Sequence, residues 1–89
     1  MFIAGCQIEE GVTYLHGDIG QVLPETFSHQ ACCSLCTVTP TCKFFTYNVD
    51  TKDCWLKNEQ AERNAGGNMM ISGTTSLEGI VGYSESMFF

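Results

Sequence analysis

The chain has 89 residues, with ten acidic and four basic side chains that give a net charge of -6. This length suits a single domain, and a hydrophobic fraction of 44% is too high for a disordered chain. The negative charge disfavours nucleic acid, polyanions such as heparin, and anionic membrane surfaces as partners. No stretch approaches the roughly 20 apolar residues of a membrane span, so membrane insertion is not expected.

In the first half of the chain we predict two short strands and one helix. Residues 11–15 and 21–23 contain β-branched, aromatic or aliphatic residues near glycines or a proline, which is typical of strands. A helix is predicted over about residues 29–36, because Ser28 is a good N-cap. Phe27 precedes that cap and is expected to pack against Cys32 as a hydrophobic staple. Pro40 requires the helix to end before it.

In the second half we predict mainly strands. Residues 43–49 and Asp53–Lys57 flank a polar turn and form a predicted hairpin. The polar residues 59–67 end in two glycines and are predicted to be a loop, and residues 68–72 a further strand. The sum is an α+β domain in which one helix lies against a small antiparallel sheet. Residues 74–89 are rich in glycine and serine and are expected to form a C-terminal strand, a tail or a linker to a next domain.

Five of the six cysteines lie between Cys32 and Cys54, with the spacing C-C-x2-C-x5-C-x11-C. This density in a short chain indicates an oxidising compartment and therefore a secreted or extracellular protein. The first residues have neither the basic nor the apolar region of a signal peptide. We therefore expect the chain to be part of a longer secreted protein, with Met1 added for expression and residues 1–5 as a linker.

Six cysteines allow 15 pairings, and the sequence alone does not choose among them. A bond between the adjacent Cys32 and Cys33 would close a strained ring and is excluded. Cys36 and Cys42 enclose a short loop with a proline, which suits a local bridge. The pairs favoured for the other four cysteines are Cys32–Cys54, which would pin the helix to the hairpin, and Cys6–Cys33 by elimination.

Three other uses of these sulfurs are disfavoured. Cys33 and Cys36 form a C-x-x-C pair, but a redox motif of this kind belongs at the start of a helix and not near its end. A zinc site lacks a second C-x2-4-C pair. No thiol has a recognisable partner that would activate it as a nucleophile beside His16 or His29. The residues that such a zinc site would use are Cys33, Cys36, Cys42 and Cys54, with His29 nearby.

The spacing and the residues between the cysteines resemble the PAN/apple domain family. The matching stretches are Ser28 to Cys32, the C-x3-C and C-x5-C spacings with Pro40, Phe45-Thr46-Tyr47, Cys54-Trp55-Leu56-Lys57, Gly17-Asp18-Ile19 and Ile71-Ser72-Gly73. The resemblance covers about residues 6–73, which we take as the domain core. It implies an antiparallel sheet wrapped around a single helix, with the disulfides Cys32–Cys54 and Cys36–Cys42.

The chain departs from the family pattern in one place. Many apple domains have a cysteine after the Ser-Gly element, whereas this chain has none after Cys54 and has Cys33 beside Cys32 instead. Cys6–Cys33 is therefore the expected third bond. The adjacent cysteines and the acidic composition resemble the apple domains of apicomplexan microneme proteins.

The resemblance implies a binding module and not an enzyme, without metal ion or cofactor. The first hypothesis is an adhesive module of a secreted microneme-type protein, which binds a protein partner or a host-cell receptor beside neighbouring apple domains. One alternative is a galactose-type lectin domain, and another is a structural spacer in a tandem array. A protease or hydrolase is disfavoured, because no nucleophile elbow, carboxylate pair or zinc motif is present.

A sugar site needs an aromatic face and polar side chains that bond to hydroxyl groups. Residue alternation along the predicted hairpin places members of each strand on a common face. The candidate ligand-binding residues are Trp55, Lys57, Tyr47 and Lys43. Trp55 and Tyr47 are also compatible with ordinary sheet packing, while Asp18, Asn48, His16 and His29 are expected in turns or at the surface.

Overall fold

The structure is a computed structural model, and it describes residues 5–75. Within this range the chain forms one helix and six strands. Their bounds are β1 Cys6–Glu10, β2 Val12–Leu15, α1 His29–Val38, β3 Phe44–Asn48, β4 Asp53–Lys57, β5 Glu62–Ala65 and β6 Met70–Thr75. All strand pairs are antiparallel, with a four-stranded sheet in the order β1-β6-β3-β4 and a separate two-stranded ribbon of β2 and β5.

The helix and the ribbon lie on opposite faces of the four-stranded sheet. Helix α1 contacts β3, β4 and β6, and β2 contacts β3 and β6 from the other side. Successive residues of a strand point to opposite faces. Phe45 therefore belongs to the core under the helix, whereas Thr46 bonds to the ribbon. The predicted α+β architecture is confirmed.

The core between helix and sheet is built largely from sulfur. The buried cluster contains five cysteines together with Phe45, Tyr47 and Leu56, and Cys6 packs against it. The disulfides are Cys6–Cys33, Cys32–Cys54 and Cys36–Cys42. These are the three pairs expected from the sequence, and the second of them joins α1 directly to β4.

Helix α1 begins as predicted and ends slightly later. The Ser28 hydroxyl accepts the Ala31 N–H at 3.1 Å, which satisfies one of the free donors of the first turn. The helix continues to Val38, where the Thr39 N–H donates to the Cys36 carbonyl. The predicted staple is wrong, because the Phe27 side chain is 87% exposed and Cys32 is fully buried.

The strand predictions fail where pairing depends on the backbone alone. The predicted loop 59–67 contains β5, whose four residues are all exposed and carry no apolar pattern. Strand β1 was not predicted, because its charged Glu9 and Glu10 are rare in strands. In contrast, residues 21–23 form no strand, and only Leu23 makes a β-bridge, to Cys54. Residues 74–75, the start of the predicted C-terminal strand or tail, belong to β6. The remainder of that segment lies outside the described residues.

Close packing at Gly73 brings β6 against the central strand. A Cβ atom on Gly73 would lie 2.6 Å from Cε2 of Phe45 and 2.9 Å from the Gln7 carbonyl oxygen. Both distances are too short for a Cβ atom, so any side chain at this position would clash. Glycine at this position therefore permits the fully buried Phe45 ring to lie under β6.

A chain of three hydrogen bonds joins the ribbon to the four-stranded sheet. The Tyr14 N–H donates to Oγ1 of Thr46 at 2.9 Å, and the Thr46 and Ser72 hydroxyls are 2.9 Å apart. The Ser72 hydroxyl donates to the Val12 carbonyl. Since a hydroxyl has one hydrogen, Thr46 must be the donor to Ser72. Every group in this buried chain is therefore satisfied.

Glu9 makes a second link between the two sheets. Its carboxylate accepts the Tyr14 hydroxyl and the Arg63 Nε–H, each at 2.7 Å. These bonds, that from Tyr14 first, lower the pKa of Glu9 below its usual 4.5. Burial raises the pKa of Tyr14, and its bond to Glu9 raises it further, so the phenol remains a donor at neutral pH.

The first prediction concerns the disulfide of the amino-terminal strand. Replacing both Cys6 and Cys33 by Ala removes a cross-link between residues 27 apart, and should lower the free energy of unfolding by about 3.5 kcal/mol. Urea unfolding of the oxidised proteins measures the difference. Non-reducing peptide mapping should still find the Cys32–Cys54 and Cys36–Cys42 peptides in the variant. Unchanged stability, or free thiols in the parent protein, would contradict this account.

The second prediction concerns the buried hydroxyl chain. Ser72→Ala leaves the Val12 carbonyl without its donor, and should reduce the free energy of unfolding by about 1–3 kcal/mol. Ser34→Ala is the matched control, because Ser34 is exposed on α1 and its replacement should change stability by about 0.5 kcal/mol or less. Equal urea midpoints for the two variants would mean that this chain of hydrogen bonds does not hold the two sheets together.

The third prediction concerns pH. Because the folded pKa of Glu9 is lowered, its ionised form stabilises the fold above pH 4.5, and this contribution is lost as the pH falls through the folded pKa. Glu9→Gln should therefore cost about 1 kcal/mol at pH 7 and progressively less below pH 4. Urea unfolding between these pH values measures the difference. Glu10→Gln, on the same strand, is the control, and a Glu9 effect that is independent of pH would refute the assignment.

Candidate functional site

One candidate site is a small cavity on the ribbon side of the sheet, which we name the Trp55 pocket. It has a volume of about 190 Å³. Its wall combines aromatic, aliphatic and polar side chains from β2, β3, β4, β6 and the turn after β2. The lining residues are Thr13, Tyr14, Leu15, His16, Asp18, Thr46, Trp55, Lys57 and Met70.

Two of the four predicted ligand-binding residues meet in this pocket. Trp55 and Lys57 alternate on β4 and share its ribbon face, and Trp55 is half-buried. Lys57, however, is only 6% exposed, and its ammonium group donates to Oδ1 of Asp18. The charge of Lys57 is therefore engaged within the protein, so Trp55 is the one of the pair whose surface is available to a ligand.

The other two predicted residues lie elsewhere. Tyr47 belongs to the helix face of β3, in the core, where its hydroxyl donates to the Thr26 carbonyl at 2.7 Å. Lys43 is exposed just before β3 and lines a different surface hollow, with Thr41, Asn58, Glu59 and Gln60. The structure therefore does not bring all four residues to one site.

Sequence reasoning missed the contribution of the turn after β2 to the pocket. His16 is exposed, has a positive φ of 69°, and is followed closely by Asp18, whose side chain is 57% exposed. Asp18 is 39 residues from its partner Lys57, so no local spacing reveals the pair. The Gly-Asp-Ile resemblance at residues 17–19 was the available signal, but it does not indicate a pocket.

A second candidate surface runs along the outer face of α1, and we name it the helix groove. It is a wide depression of about 680 Å³ between the helix and the segment before it. Phe27 is 87%, Val38 75% and Leu35 38% exposed at its walls. The lining residues are Leu23, Pro24, Glu25, Thr26, Phe27, Ala31, Ser34, Leu35 and Val38.

The helix groove is almost free of charge. Helix α1 contains no Asp, Glu, Lys or Arg, and Glu25 is the one such residue among those that line the groove. A surface helix ordinarily carries charged residues on its outer face. Sequence reasoning assigned Phe27 to a staple and so missed this surface, although the absence of charged residues from 26 to 42 was visible in the sequence.

The cysteines contribute no reactive group to either surface. Among residues 5–75 every cysteine is in a disulfide, and no cluster of three His, Cys, Asp or Glu residues is arranged to hold a metal ion. No helix in the same range is long and apolar enough to cross a membrane. The C-x-x-C pair is divided between two disulfides, one through Cys33 and one through Cys36.

Comparisons with known proteins identify the fold. A family model described as the PAN domain matches residues 6–85. No curated protein matches the chain. Among solved structures, the chain is similar to the two N-terminal apple domains of Toxoplasma gondii microneme protein 4, with a TM-score of 0.66 and 28% sequence identity. The match covers 74% of this chain and 42% of that one, so this chain spans less than half of the two-domain structure.

The family match and the fold agree with each other. The matched region begins at Cys6, the first residue of β1, and includes the helix, all six strands and the three disulfides. A match of this extent covers far more than half of the chain. The chain belongs to the PAN domain family, and its disulfide-bonded α+β fold is that of an apple domain.

Proposed function

We propose that this domain is a non-catalytic adhesive module of a secreted, multi-domain protein of the microneme type. PAN and apple domains are protein- or carbohydrate-binding modules, which sets the class of function. Within this class we assign a protein partner or a host-cell receptor as the ligand. The helix groove is the assigned binding surface.

The observation that carries this proposal is the exposed, uncharged surface along α1. Phe27 and Val38 are large apolar side chains that are mostly exposed to solvent. Apolar side chains contribute to binding when a partner removes them from water, at about 25 cal/mol per Å² of apolar surface. The centres of protein interfaces are depleted in charged residues, as this surface is. A small hydrophilic ligand would gain little from it.

The location and context of the domain are part of the proposal. Three disulfides in 89 residues favour an extracellular or secreted protein, since such bonds persist in oxidising compartments. The similar solved structure holds two apple domains of a microneme protein in one chain. We propose sister domains beside this one, because linking several weak sites greatly strengthens binding without any new contact.

Galactose-type sugar binding at the Trp55 pocket is the second candidate function. It is favoured by the half-buried Trp55 beside Asp18, since an aromatic face and a carboxylate together suit a sugar ring. The Asp18 side chain is 57% exposed, although its Oδ1 accepts from Lys57. The volume of about 190 Å³ is below the roughly 300–1,000 Å³ of pockets for drug-sized ligands, so the pocket would suit a single ring. The engaged Lys57 and the buried Tyr47 make it the weaker candidate.

The fourth prediction tests the assigned surface. The oxidised domain is biotinylated, assembled on streptavidin to gain avidity, and its binding to cultured animal cells is measured by flow cytometry. The double variant Phe27→Ser/Val38→Ser should reduce binding at least about tenfold, because the buried apolar area is lost. Val22→Ser is the matched control, since Val22 is exposed and apolar but does not line the groove.

A glycan array and the variant Trp55→Ala separate the two candidate functions. Protein adhesion predicts an array without signals and nearly unchanged cell binding by Trp55→Ala. Galactose-dependent signals that disappear in this variant, with its fold intact by circular dichroism, would favour the lectin function instead. Cell binding that survives in the double variant would refute the helix groove as the adhesive surface. No binding by any form would support the remaining alternative, a spacer in a tandem array.

A further inference from the structure

We infer that the helix groove receives a short apolar segment of a different protein, flanked by Lys or Arg residues, and not a second copy of this chain. This inference deepens the proposed function and rests on it. The shape of the groove, the rigidity of its wall and the distribution of charge each support part of the inference.

The shape of the groove fits a helical segment of about two turns. Ala31, Leu35 and Val38 are spaced four and three residues apart, so they form one stripe along α1. Ala31 and Val38 are seven positions apart, which is about 10 Å at 1.5 Å per residue. Ala31 and Ser34 are small, which lets a partner approach the helix closely between the larger Phe27 and Val38. A helix with apolar anchors at i, i+4 and i+7 matches this stripe.

The wall opposite α1 is held in place before any partner arrives. Leu23 exchanges two backbone hydrogen bonds with Cys54, at 2.8 and 2.9 Å. Thr26 donates its N–H to the Lys52 carbonyl and accepts the Tyr47 hydroxyl on its own carbonyl. Glu25 and Phe27, on either side of the buried Thr26, are thereby fixed at the surface. A wall that is already ordered lowers the entropic cost of binding.

The charges near the groove favour a basic partner. Glu25 is exposed on the groove wall and is the one charged residue there, while Lys52 contributes its carbonyl to the wall but does not line the groove. Two of the four basic side chains in the chain, Lys57 and Arg63, form ion pairs with Asp18 and Glu9. In residues 5–75 no other acidic side chain forms an ion pair, so most of the negative charge in this range lies outside ion pairs.

The same charges disfavour a second copy as the occupant. Two chains with a net charge of -6 repel each other at a distance, and a symmetric contact would bring two Glu25 side chains towards one interface. A partner segment with a Lys or Arg beside its apolar anchors would instead be attracted over a long range, and would pair with Glu25 on arrival. The occupant we assign is therefore an apolar, basic-flanked helix of another protein.

The test uses helical 15-residue peptides displayed on phage, with Leu fixed at i, i+4 and i+7 and all other positions random. Selection on the immobilised, oxidised domain should enrich peptides with Lys or Arg beside the anchors. In NMR titrations the enriched peptides should shift the amide signals of Phe27, Leu35 and Val38. Glu25→Gln should weaken their binding about threefold at low salt, which is typical of an exposed ion pair. Val38→Asp should abolish binding.

The matched control is Glu59→Gln, an exposed acid outside the groove, which should leave the affinity unchanged. Enrichment of acidic peptides, no enrichment, or equal affinities for Glu25→Gln and the parent would overturn the inference. So would a dimer in sedimentation experiments that Val38→Asp dissociates, because the occupant would then be a second copy. If cell binding still depends on Phe27 and Val38 in any of these cases, the proposed adhesive function stands while the basic partner fails.

Discussion

The disulfide between Cys32 and Cys54 is the contact on which the rest of this domain depends. It joins α1 to β4, both residues are fully buried, and the other four cysteines lie in or against the same cluster. A chain of this size buries only about 60–65% of its unfolded surface, so packing alone leaves a small margin of stability. Here the cross-links both restrict the unfolded chain and fill the centre of the folded one, so a ten-residue helix whose buried residues are all cysteines suffices as a core element.

Because disulfides hold the inner face of α1, its outer face is not needed to stabilise the fold. The inward side of α1 is occupied by Cys32, Cys33 and Cys36, each bonded to a different part of the chain. No surface ion pair is needed to fix the helix, and its outer residues carry no formal charge. The exposed Phe27 and Val38 contribute little to the fold, since burial is what makes an apolar side chain stabilising. In the function that we propose, these side chains contact the partner.

The sequence was informative where side-chain chemistry dictates structure, and uninformative where backbone pairing or distant contacts do. The cysteine spacing together with the family resemblance correctly predicted the disulfides, the Ser28 cap the start of the helix, and the alternation in β3 and β4 the hairpin. Strand β5 was not predictable, because its residues pair through the backbone while every side chain is exposed. The candidate site was predicted only in part, because alternation locates Trp55 and Lys57 on one face but does not reveal that Asp18, far away in the sequence, neutralises Lys57.

The two faces of the central sheet therefore differ in what they offer a ligand. On the ribbon side, polar groups are satisfied within the protein: Thr46, Ser72, Glu9 and Lys57 each bond to a neighbour, and none of the buried side-chain polar atoms in residues 5–75 lacks a partner. Such groups gain little by exchanging these bonds for bonds to a ligand. On the helix side, apolar groups are exposed to water, and every contact with an apolar partner removes that cost. This difference is why the function that we propose places the partner along α1, on the face opposite the sulfur core.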